Sequence, residues 1–132
     1  MKKTIITIMT LAFAMSAMYS CKKAGNDGQA TLVVFPKHHG ATIKNHVGYP
    51  DTIYVKYNAT EAASSLSDYD TYYVGEVGED HVHCTNLHTG KYYIFGAGYD
   101  STINQRVTGG MAIKIKSKDK KQEIDQDLAV SE

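Results

Sequence analysis

From Ala30 onward, short runs rich in Val, Ile, Thr, Tyr and Phe are broken by Gly, Asn, Asp or Pro. That rhythm is the pattern of strands and turns. Thr52–Asn58 (TIYVKYN) alternates with period two, placing Ile53, Val55 and Tyr57 on one face and Tyr54 and Lys56 on the other. Thr31–His39 (TLVVFPKHH) predicts an earlier strand, whose inward set is either Leu32 and Val34 or Val33 and Phe35. Ala59–Ser67 is small and polar and reads as a loop. Tyr69–Val77 and His81–Thr85, across the turn Gly78-Glu79-Asp80, predict a hairpin. In its second arm Val82 and Cys84 face inward and His81 and His83 outward. Leu87-His88-Thr89-Gly90 turns into Lys91–Tyr99, the most aromatic strand. After a polar loop at Asp100–Arg106, Met111–Lys116 and Glu123–Val130 predict a last hairpin across the charged turn Ser117–Lys121. Met111, Ile113, Ile115, Ile124, Leu128 and Val130 point to the core. About seven strands with no amphipathic helix predict an all-β fold. So many inward residues need two packed antiparallel sheets, a β-sandwich.

The first residues break this pattern. Met1-Lys2-Lys3 precedes an uncharged run of 15 residues, Thr4–Met18, followed by Tyr19-Ser20-Cys21. A basic start and an apolar stretch too short for a bilayer-spanning helix describe a secretory signal. A Cys at its end fits a lipoprotein, cut before the Cys whose thiol takes the lipid; the alternative is ordinary signal cleavage nearby with Cys21 incidental. Ser20 and Met18 suit that cleavage, and Tyr19 is unusual there. The expected organisation is a signal peptide at 1–20, lipidated Cys21 with a flexible tether to residue 29, and a sandwich domain at 30–132. If Cys21 carries lipid, Cys84 has no disulfide partner. Without Lys2 and Lys3 the formal charge falls from zero to about −2, which gives no basic surface for nucleic acid. The membrane enters as a partner through the lipid.

Leu87-His88-Thr89-Gly90-Lys91-Tyr92 resembles the Leu-x-x-Gly-x-Tyr turn of carboxypeptidase-regulatory-like, or transthyretin-like, sandwich domains. Lys37-His38-His39, Ile53–Tyr57, Gly98-Tyr99-Asp100, Val107–Gly110 and Leu128–Glu132 follow in an order similar to small lipoproteins of Bacteroidota type. The resemblance covers about Thr31–Glu132. It implies a seven-stranded prealbumin-like (Ig-like) sandwich and no activity. It gives Leu87, Gly90 and Tyr92 structural roles, with Tyr92 as a tyrosine corner whose hydroxyl pins the turn. The enzymes of such families differ: the hydroxyisourate hydrolases end in Tyr-Arg-Gly-Ser where this chain has Ala129-Val130-Ser131-Glu132. The fused carboxypeptidases need a His-x-x-Glu zinc pair, which is missing here. Surface-displayed Bacteroidota lipoproteins often carry an acidic run after the Cys. Lys22–Asp27 holds a single acid, so the expected address is the outer membrane, facing the periplasm.

Chemistry concentrates in six histidines. His81 and His83, two apart on a strand, present both imidazoles on one face, where one zinc or copper ion can bridge them. His38, His39 or His88 could add a third ligand; the alternative is a set of solvated polar residues. Ten tyrosines and no Trp either fill half-buried strand positions or form a face for glycan or peptide, among them Tyr54, Tyr69, Tyr72, Tyr73, Tyr93 and Tyr99. Asp68, Asp70, Glu76, Glu79 and Asp80 lack calcium-loop spacing and read as solvated turns. Alternation sends Cys84 away from His81 and His83, so no nucleophile and base can be named and no enzyme is expected. The expected function is a non-catalytic envelope module for an unknown protein, peptide or glycan. The alternative is a periplasmic zinc- or copper-binding protein.

Overall fold

The computed structural model describes residues 23–132; the signal segment and Cys21 lie outside the described residues. Among the described residues, eight strands form two sheets. β1 (Ala30–His38), β2 (Ala41–Thr42), β5 (Val82–Leu87) and β8 (Glu123–Val130) make one sheet. β3 (Thr52–Tyr57), β4 (Thr71–Val74), β6 (Gly90–Asp100) and β7 (Gln105–Ile115) make the other, in the order β4-β3-β6-β7. The fold is an all-β sandwich.

Alternation sets which face each strand buries. In β1, Ala30, Leu32 and Val34 enter the core, which selects the first of the two registers the sequence left open. Ile53 and Val55 of β3, Val82 and Cys84 of β5, Tyr92 and Ile94 of β6, and Leu128 and Val130 of β8 complete it from both sheets. The ambiguity at β1 arose because Val33, on the outer face, is also apolar and only 3 % exposed. β5 covers it, since Val33 pairs with His83 across the β1–β5 ladder.

Two expected hairpins do not form. β4 pairs with β3 and β5 pairs with β1, so Gly75–His81 carries the chain from one sheet to the other. Likewise β7 pairs with β6, while β8 crosses to run parallel beside β1, from Thr31↔Glu123 to His38↔Val130. A charged turn between two apolar runs looks the same whether the chain folds back within a sheet or steps across the core. The true long hairpin is β6–β7, for β7 begins at Gln105 rather than at Met111 and includes Gly109 and Gly110.

The expected tether is also shorter than residues 21–29. Ala24 is buried, Gly25 donates its amide to the Tyr92 hydroxyl at 3.0 Å, and Gly28 donates to the Asn86 carbonyl at 2.9 Å. From Ala24 on, the chain is therefore docked on the corner between β5 and β6.

Candidate metal centre

His81 immediately precedes β5 and His83 lies within it, both on the outer face opposite Val82 and Cys84. Their Nε2 atoms are 3.0 Å apart, and Glu79 brings Oε2 to 3.3 Å from His81 Nε2. Ligands held about 2.0–2.1 Å from a tetrahedral zinc sit about 3.3 Å from one another, so this spacing suits one ion. On the far side of the ring, His81 Nδ1 lies 2.9 Å from Asp80 Oδ1. With a proton on Nδ1 held by the Asp80 carboxylate, Nε2 is left to offer its lone pair to an ion placed between Glu79 and His83. That carboxylate-imidazole pairing is how proteins orient metal-ligating histidines. Phe35 of β1 packs on the His81 ring with centroids 5.3 Å apart, limiting its swing.

The turn that delivers Glu79, Asp80 and His81 is clamped by buried Asn45. The Asn45 backbone amide donates to the Glu79 carbonyl at 2.8 Å, and its side-chain Nδ2 donates to the carbonyls of Glu79 at 3.0 Å and His81 at 3.2 Å. Its Oδ1 accepts from the Asp51 amide at 2.7 Å, tying the turn to the start of β3. A side chain at Gly75 would strike Asn45, so the turn must begin with glycine.

The other candidate histidines lie elsewhere. His38 ends β1 pointing inward at one end of the sandwich, with Nδ1 2.7 Å from Asp100 Oδ2 and Nε2 2.8 Å from Glu132 Oε2. Both nitrogens face acceptors, and the pair of carboxylates, Asp100 foremost, raises the His38 pKa against the effect of burial. Asp100 is drawn down to about 2, first by the Thr102 hydroxyl at 2.6 Å and then by His38. The His39 ring lies against that of His38, centroids 4.1 Å apart. His88 pairs with Asp27 beside the docked N-terminal segment. Neither His38, His39 nor His88 joins His81 and His83; the third group that could hold an ion there is Glu79.

Tyr92 is fully buried; its hydroxyl lies 2.7 Å from the His88 carbonyl, to which it donates, and accepts from Gly25. Gly90, at φ +150°, lies so close to Ala24 that a Cβ would come within 2.9 Å of it. Leu87 fills the core beneath. Cys84 is a free thiol in the core, and burial pushes its pKa up. Tyr54, Tyr69, Tyr72 and Phe95 meet at centroid distances of 5.9–6.3 Å on the outer face of the second sheet.

No protein-family model, curated protein or solved structure matches this chain. What the chain binds must therefore be argued from its own side chains.

Glu79 could have been found in the sequence, since Glu79-Asp80-His81-Val82-His83 alternates ligand and non-ligand residues at strand spacing. Its place in an acidic turn hid it among solvated carboxylates. Asn45 carried no such signal, because its role depends on a turn more than thirty residues away.

Proposed function

We propose that this protein is a non-catalytic, lipid-anchored β-sandwich of the bacterial envelope that binds a divalent transition metal through Glu79, His81 and His83. The observation that carries this reading is the convergence of those three ligand atoms in front of Asp80, on a turn fixed by Asn45. Two imidazoles and one carboxylate suit zinc or copper, and three protein ligands leave a position for water or a small ligand. The buried Cys84 thiol, removed from both histidines, supports a binding role rather than nucleophilic catalysis. The signal pattern ending at Cys21 and the single acid in Lys22–Asp27 support an anchor in the outer membrane facing the periplasm. The Leu87–Tyr92 turn supports kinship with transthyretin-like lipoprotein domains.

The test is thermal unfolding of the full chain in chelator and then with zinc or copper, beside His81→Ala/His83→Ala. Free metal at about a hundred times its Kd stabilises by about 2.7 kcal/mol, a rise on the order of ten degrees for a domain of this size. The expected result is that the double variant loses a distinct part of that rise. Equal rises in both proteins would sink the assignment. The anchor is tested by fractionation: Cys21→Ser should leave the membrane pellet, and a variant that stays there overturns lipidation.

A further inference from the structure

At the sandwich end where β1 turns into β2, a cleft of about 440 Å³ opens between the β1–β2 turn and the β6–β7 turn. His38, His39 and His46 all line it. We propose that this end holds a second divalent-metal site, in which His38, His39 and Glu132 bind zinc or a zinc-like ion with one coordination position left toward the cleft. This goes beyond the Glu79/His81/His83 site and does not depend on it.

One ligand atom from each of the three residues falls within 4.8 Å of the others, the span that a single ion draws together. The donor set is again two imidazoles and a carboxylate. The supporting structure is more deeply built than at the first site, because His38 is only 4 % exposed and its Nδ1 is fixed by Asp100 at 2.7 Å. Asp100 is itself fixed, accepting at Oδ1 from the Thr102 hydroxyl at 2.6 Å and the Thr102 amide at 2.8 Å. A ligating histidine whose other nitrogen rests on a secured carboxylate keeps one ring orientation, and losing that partner typically costs 10–100-fold in metal affinity.

The turn supplies the second imidazole. His38↔Ala41 closes a two-residue loop, with His39 at φ 49° and Gly40 at φ 83°. Both values belong to a type I′ hairpin turn, where Asn-Gly or Asp-Gly is favoured and a left-handed histidine is uncommon. At that position His39 stands against the His38 ring on the wall of the cleft. His46 lines the same cleft edge-on to Tyr99, with centroids 6.2 Å apart, outside the ligand group. The remaining coordination position is therefore open to water or a small anion.

Binding replaces the Nε2 proton of His38, which goes to solvent, so a metal bond forms where the hydrogen bond to Glu132 was. The experiment is a zinc titration of the full chain against a chromophoric chelator, with variants His83→Ala, His39→Ala, Glu132→Gln and Asp100→Asn. His39 and Glu132 are exposed, so their replacement leaves the core intact. We expect two equivalents for the natural chain, one for His83→Ala, one for His39→Ala and none for the pair combined. Glu132→Gln and Asp100→Asn should weaken one equivalent 10–100-fold and leave the other unchanged. If His83→Ala binds no zinc, or binds an equivalent that survives His39→Ala and Glu132→Gln, the second site is refuted. A single equivalent lost in His39→Ala but kept in His83→Ala would uphold this site and refute the first.

Discussion

Asp51, at the entrance to β3, has no exposed surface, and neither carboxylate oxygen has a hydrogen-bond partner among the described residues. An isolated buried charge is costly, and the group responds by holding its proton. Burial pushes its pKa up from 3.8 to about 7, with the nearby Tyr99 backbone offsetting only part. Between those values the folded protein keeps a proton that the unfolded chain has released. Stability from this group is therefore fully present below about pH 4 and lost as pH rises through 7, by up to about 4 kcal/mol on the scale of 1.36 kcal/mol per unit. Asp51→Asn removes the ionisation while preserving shape. Urea midpoints at pH 4.5 and 7.5 should differ less in that variant than in the natural chain, and parallel profiles would contradict the assignment. Nothing in the sequence singled out Asp51, because a turn acid before a strand reads as solvated. It is buried by Gly98, whose missing Cβ leaves room for a carboxylate oxygen that would otherwise sit at 2.4 Å, and that contact spans two strands distant in sequence.

At the scale of elements, the inward and outward faces of β3, β5 and β8 were legible, because period-two alternation is local and the apolar set is unambiguous. Strand partners were not legible, because neighbouring strands in sequence lie in opposite sheets at both crossovers. The same limit applies to the sites. His81 and His83 were readable from spacing alone, whereas the His38 contacts join residues 62 and 94 positions apart. Between these extremes stands the Gly75–His81 crossover, whose carbonyls Asn45 holds from another loop. Asn45→Ala removes the side-chain bonds to the Glu79 and His81 carbonyls and from the Asp51 amide while the backbone bond to Glu79 stays, and each group left without a partner costs about 1–3 kcal/mol where water cannot enter. The expected outcome is lower stability together with weaker metal binding at Glu79/His81/His83. Metal affinity at 4 °C, where the variant remains folded, separates the two effects, and unchanged affinity there would show that the turn holds its shape without the clamp.

The whole molecule depends on how closely its two sheets approach, and one close approach across the core falls between β6 and β8. Gly96 faces Leu128 across the core, and a Cβ at Gly96 would come within 2.5 Å of Leu128 Cδ2 and 3.2 Å of Ile53 Cδ1. Leu128 is 1 % exposed and belongs to a strand that, among the described residues, joins the first sheet through its parallel ladder to β1. Leu128→Ala alone should therefore cost about 2–5 kcal/mol through lost burial and the cavity left behind. Gly96→Ala alone should cost about 1–3 kcal/mol, because the added methyl forces Leu128 or a backbone to move. The two changes act on the same space with opposite sign of volume. Combined, the methyl at Gly96 enters part of the cavity at Leu128, so the double variant should lose less than the sum of the singles, by an interaction of about 0.5–3 kcal/mol. Chemical denaturation of the four proteins measures that cycle. Strict additivity would mean that Gly96 and Leu128 do not face each other across the core of the sandwich.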